Sequence, residues 1–200
     1  MSRLANSTYT ERPWRIHEVA GDFTVEDMWS FRTPGAGPDD FPTMLAAMLA
    51  AGGFDRVSMP VRLLFAVRFK LGALLGWDKP TAGLGRRVAS LRDRLPSDLR
   101  DAPRGAGSLA PPLTPVYQLD REAVREIANR TVHSLMHLTW VQSASNGDYE
   151  LQMAILVKAN GRLGRLYMAA IAPFRYLVVY PAVTRHWERA WRDHGRLERG

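Results

Sequence analysis

Apolar and polar residues alternate with a period of two from Thr131 to Gln142 and again from Tyr149 to Lys158. That period predicts two half-buried strands. Between them, Ser143-Ala144-Ser145-Asn146-Gly147-Asp148 carries the Asn-Gly pair expected of a hairpin turn. Shorter strand candidates lie at Leu113 to Leu119 and Ala123 to Ala128, and Asn160-Gly161 closes the last run. A helical pattern follows from about Leu163 to Trp191. Pro173 and Pro181 fall inside it, and each removes a backbone donor, so kinks are expected there. Paired alternating runs feeding a long helix predict an antiparallel sheet with a helix laid across it.

The N-terminal half has weaker signals. Trp14, Ile16 and Val19 alternate with polar residues and suggest a first strand, whereas Thr24 ahead of Val25-Glu26-Asp27 resembles a capped helix start. Pro34 to Asp40 is a loop, and Phe41, Leu45, Met48 and Leu49 repeat at helical spacing up to Gly52-Gly53. Val61 to Trp77 is apolar nearly all round, which predicts an interior helix. Asp78 to Pro112 is basic and rich in Gly and Pro, with short helical pieces at Val88, Leu91, Leu95 and Leu99. The class is α+β: a curved antiparallel sheet wrapped around a long C-terminal helix, with extra N-terminal helices. The length suits one domain over residues 1–200, with flexible ends at 1–12 and 192–200.

The absence of cysteine excludes disulfides, thiolate metal sites and cysteine nucleophiles. A net charge of +7 raises the question of nucleic acid. Arginines such as Arg92, Arg94, Arg189 and Arg192 alternate with Asp93, Asp98, Glu188 and Asp193, however, which describes a solvated, ion-paired surface and disfavours a phosphate-tracking stripe. The opening residues contain no secretory apolar run, so a cytoplasmic location is expected. Leu166 to Val183 approaches spanning length, but Arg175 would sit near mid-bilayer at a cost of about 2.5 to 3.5 kcal/mol. No transmembrane span is expected.

Candidate chemistry concentrates on the strands. His133 and His137 lie four residues apart, about 13 Å along a strand, which is too far to share one metal; no metal or cofactor is expected. Either could serve as an acid-base group with Glu126. Alternation places Met136, Leu138 and Trp140 on one face and the histidines on the other, so the first set should meet the helix and the histidines should occupy the more polar or outer side. With Met153, Ile155, Tyr167, Ile171 and Arg175, that apolar set is the candidate ligand-binding group. Arg175 cannot be buried unpaired and should reach Glu126 or Glu150, or else present an anion-binding head to a cavity. Asn129 is expected at a turn for its tolerance of positive φ.

At the level of motifs the chain resembles the domain of unknown function 2867 family. The residues that carry the likeness are Trp77-Asp78, Leu91-Arg92-Asp93-Arg94-Leu95-Pro96, Asn129-Arg130-Thr131-Val132-His133, Met136-His137-Leu138 with Trp140-Val141, Gln152-Met153-Ala154 with Leu156-Val157-Lys158, Tyr167-Met168-Ala169-Ala170-Ile171, Pro173-Phe174-Arg175 and Val179-Tyr180-Pro181. The resemblance implies a START-like, helix-grip fold of the polyketide cyclase and lipid-transfer kind. The family's activity is undefined, and some members are fused behind a dinucleotide-binding reductase domain. These 200 residues hold no Gly-x-Gly-x-x-Gly fingerprint, so nicotinamide chemistry is not expected. The function expected first is binding of a hydrophobic or amphipathic small molecule between sheet and helix. Alternatives are a cofactor-free cyclase, dehydratase or isomerase in the same cavity, or an interaction module for a separate reductase, a second copy or an anionic membrane surface.

Overall fold

The period-two runs are strands of one curved antiparallel sheet. The computed structural model describes residues 2–52, 58–74, 84, 88–105 and 113–197. Its strands are β1 (Ser2–Arg3), β2 (Thr24–Phe31), β3 (Thr114–Gln118), β4 (Glu122–Ala128), β5 (Val132–Gln142) and β6 (Tyr149–Ala159), in the order β1-β2-β6-β5-β4-β3. Met136 pairs with Ile155, Leu138 with Met153 and Trp140 with Leu151, so the apolar sets of β5 and β6 sit side by side on one face. Gly147 has φ +78°, a value that an L side chain rarely adopts, and it closes the β5–β6 hairpin.

The C-terminal run begins as α5 (Gly161–Phe174), widens into a π turn (Arg175–Val179) and continues as α6 (Tyr180–Leu197). The kinks expected from Pro173 and Pro181 take this form. Without their N–H groups, the carbonyls of Ala169 and Leu177 lose their usual donors, and the widened turn between the prolines absorbs the mismatch. This helix across a curved sheet is consistent with a helix grip.

Two layers cover the sheet. On one face, Tyr180, Val183 and Trp187 of α6 and Phe41, Met44 and Met48 of α2 (Phe41–Ala51) pack on Trp29, Phe31, Met136, Leu138, Trp140 and Met153. On the other, Tyr9 of α1 (Asn6–Thr10), Ile16, Val19, Leu91, Leu95 and Leu99 pack on Val116, Val124, Leu135 and Leu156. Residues 2–12, expected only as a tail, thus supply β1, α1 and a tyrosine that is 1% exposed.

Several expectations are corrected. Trp14 to Val19 is no strand: Arg15–Glu18 is a 3₁₀ turn whose leading amides, of Arg15 and Ile16, donate to the Glu122 carboxylate. The segment after Thr24 is β2 and not a helix, because pairing with β6 and burial of Met28 to Phe31 override the local cap signal. The expected interior helix is α3 (Met59–Leu74), but Met59 and Leu63 lie on the surface while Val61 is buried. The basic loop contributes a 3₁₀ turn (Leu91–Arg94) and α4 (Ser97–Asp101). The expectations for Gly53, 75–83, 85–87 and 106–112 lie outside the described residues. Asn129 does not act through positive φ, which among the described residues only glycines show; its Oδ1 instead accepts from the Thr131 amide and hydroxyl and the Val132 amide, tying the β4–β5 turn.

Candidate functional site

Where α5 leaves the sheet, a solvent-open groove of about 530 Å³ forms between it and β2 and β6. Two residues set the helix position. Gly164 lies so close that a Cβ there would clash with the Thr131 carbonyl oxygen, and Met168 packs on Val132 and Val157. Val157, Met168, Ala169 and Ala172 give the groove an apolar lining, and Glu26, Lys158, Arg165, Arg175 and Tyr176 give it polar edges.

Charge at the edges is partly neutralised. Asp22 accepts from Arg94 Nη2 at 2.8 Å and from Lys158 Nζ at 2.8 Å; the bonds from Arg94 foremost, then from Lys158, hold its carboxyl well below the usual carboxylate range. Arg175 lies 3.3 Å from Asp27 Oδ2 and 3.5 Å from Glu26 Oε2. Tyr180 donates to the same Asp27 oxygen at 2.6 Å. The ion pair expected for Arg175 therefore exists, but its partners are on β2 and are neither Glu126 nor Glu150. Arg165 is exposed and has no carboxylate partner among the described residues.

The histidine face is neither an outer side nor polar throughout: its histidines and glutamates sit among Val124, Leu135 and Leu156 of the second apolar cluster. His133 and His137 are 4% and 0% exposed beneath the N-terminal and 91–101 segments. His133 Nε2 lies 2.9 Å from Glu126 Oε2, and Glu126 also accepts from Ser90 Oγ and the Leu91 amide. His137 Nε2 faces Glu122 Oε1 at 3.3 Å without hydrogen-bond alignment, while its Nδ1 lies 2.8 Å from Tyr9 Oη. Glu122 takes further bonds from Tyr117 Oη and from the Arg15 and Ile16 amides. Burial pushes His137 below its ordinary value, which favours neutral imidazole accepting the Tyr9 hydroxyl. Burial acts upward on both glutamates, but the histidine beside each of them and the hydrogen bonds they accept outweigh it and hold both carboxyls low. These two pairs sit on the sheet face opposite the groove.

A family model described as a protein of unknown function, DUF2867, matches residues 19–182. The chain belongs to that family. No curated protein and no solved structure matches it. In this DUF2867 chain the matched segment holds the whole groove and both histidine–glutamate pairs, while Tyr9 and the Arg15 and Ile16 amides that cover them lie before it.

The candidate residues divide three ways. Met136, Leu138, Trp140 and Met153 are 4% exposed or less and belong to the packed core beneath α6. Ile155, Tyr167 and Ile171 are half-buried around Met168, and Arg175 lines the groove itself. Glu126 and His133 come together, whereas His137 pairs with Glu122, a residue the sequence reading passed over. Its signal was present: on β4, Glu122 and Glu126 share a face by period-two alternation, and both point the way the histidines do. Asp27 was missed because β2 was read as a helix.

Proposed function

We propose that the chain binds an amphipathic small molecule in the groove between β2, β6 and α5. The observation that carries this is a concavity of about 530 Å³, within the range of roughly 300 to 1,000 Å³ usual for ligand sites, in which the apolar Val157, Met168 and Ala172 lie beside polar edges that include the exposed Arg165. The hydrocarbon would lie on Val157, Met168 and Ala172, and an anionic or hydrogen-bonding head would meet Arg165, with Arg175 and Tyr176 beside it. This moves the ligand from the Met136–Trp140 core toward the open end of the helix, where space exists. The catalytic alternative has less support, because the acid-base candidates are sealed on the opposite face.

The test is titration with an anionic apolar dye, anilinonaphthalene sulfonate. Ala172→Trp fills the groove and should weaken saturable dye binding at least about tenfold, given roughly 1.4 kcal/mol per decade. Ala144→Asp, in the exposed β5–β6 turn, should leave it unchanged. Equal binding in wild type and Ala172→Trp would refute the proposal.

A further inference from the structure

The inner side of α5 faces the groove, and its outer side is more apolar than a solvated helix surface needs to be. Leu163, Leu166, Ala170, Phe174 and Leu177 recur at intervals of three and four, so they form one continuous stripe. Four of them are large and open to solvent: Leu163 is 46% exposed, Leu166 68%, Phe174 52% and Leu177 77%. Charge along this run has one sign. Between Glu150 and Glu188 the sequence holds Lys158, Arg162, Arg165, Arg175 and Arg185 and no acidic residue. Arg162 and Arg165 are exposed beside the stripe. α3 touches the π turn and has exposed apolar side chains of its own, Met59 at 76% and Leu63 at 64%, with exposed Arg62 and Lys70.

We infer that this outward face docks on an anionic lipid bilayer. Apolar side chains enter the headgroup boundary while flanking arginines meet lipid phosphates, the arrangement of helices that lie in a membrane interface. Contacts to the sheet keep the helix from crossing. Gly161–Gly195 is long and apolar enough to span, but Arg175 and Tyr180 are bonded to Asp27, and Val183 and Trp187 are buried in the core. Spanning would tear these apart; lying flat uses only side chains that now face water. An acidic or neutral protein surface would satisfy the charge or the apolar stripe, whereas an anionic bilayer satisfies both along the whole run.

The experiment is co-sedimentation of the full chain with vesicles of equimolar phosphatidylglycerol and phosphatidylcholine, and with phosphatidylcholine alone, at low salt. The expected result is sedimentation with the anionic vesicles, little with the neutral ones, and release as salt is raised. Leu166→Asp with Leu177→Asp should weaken the association at least about tenfold, from lost apolar burial alone. Both sites are exposed, and an unchanged circular dichroism spectrum checks that the fold persists. Vesicle association equal to wild type in that variant would overturn the inference. So would a wild type that stays in the supernatant, including one that self-associates through the stripe.

Discussion

Arg175→Met tests what fastens the C-terminal helix to the sheet. Asp27 is 0% exposed, and its Oδ1 has no donor among the described residues. Its Oδ2 is held by Arg175 at 3.3 Å and Tyr180 at 2.6 Å. Removing the guanidinium leaves a buried carboxylate held by the Tyr180 hydroxyl, with the Tyr176 hydroxyl also close to it. Breaking such a pair costs about 3 to 5 kcal/mol, and the lower end applies because Tyr180 remains and the Arg175 side chain is 12% exposed. We expect a loss of about 3 kcal/mol in urea unfolding followed by tryptophan fluorescence. Asp27→Asn keeps an acceptor for Tyr180 and removes the charge, so it should cost about 1 to 2 kcal/mol. The double variant should then be more stable than Arg175→Met alone, with a coupling of about 1.5 kcal/mol or more. Additive losses within about 0.5 kcal/mol would refute the reasoning, since they would mean that the two side chains do not share one buried electrostatic site.

Gly164→Ala should destabilise the chain by about 1 to 3 kcal/mol, because the new methyl meets a backbone oxygen; in an unobstructed helix the same change stabilises by up to about 1 kcal/mol, so the sign of the shift in thermal midpoint decides. Stability should also fall in acid in two steps. The lowered His137 contributes fully above its ordinary 6.5 and loses that contribution as pH falls below it, since the unfolded chain then binds the extra proton. The lowered Glu122 and Glu126 contribute above their ordinary 4.5 and lose stability below it. Urea midpoints that stay level from neutral pH down through both values would contradict the buried pairs.

The sheet's C-terminal strands and the long helix were legible because alternation and an apolar run are local signals, and the apolar face of β5 and β6 could be assigned from parity alone. The opposite face could not. Nothing local says that Tyr9, Ile16 and Leu91 fold back over the histidines, and the Arg15 and Ile16 amides meet a carboxylate more than a hundred positions away. The same blindness exchanged the first two elements. Trp14 to Val19 has strand alternation but is turned into a 3₁₀ segment by Glu122, and Thr24 to Asp27 has a helix cap but is drawn into the sheet by β6. Once β2 was misread, Asp27 could not be offered to Arg175. The frame of sheet and helix was legible, but the place of the groove beside α5 was not, because it depends on Gly164 and Met168, whose roles come from a neighbouring turn and strand.

The central claim is that the groove beside α5 holds an amphipathic molecule. It is tested most directly by native mass spectra of the purified chain, recorded before and after denaturation and again for Ala172→Trp. The account predicts added mass that accompanies the folded wild type, disappears on denaturation, and is absent from the variant. A folded wild type at its bare sequence mass, unchanged after incubation with a fatty-acid mixture, would contradict it.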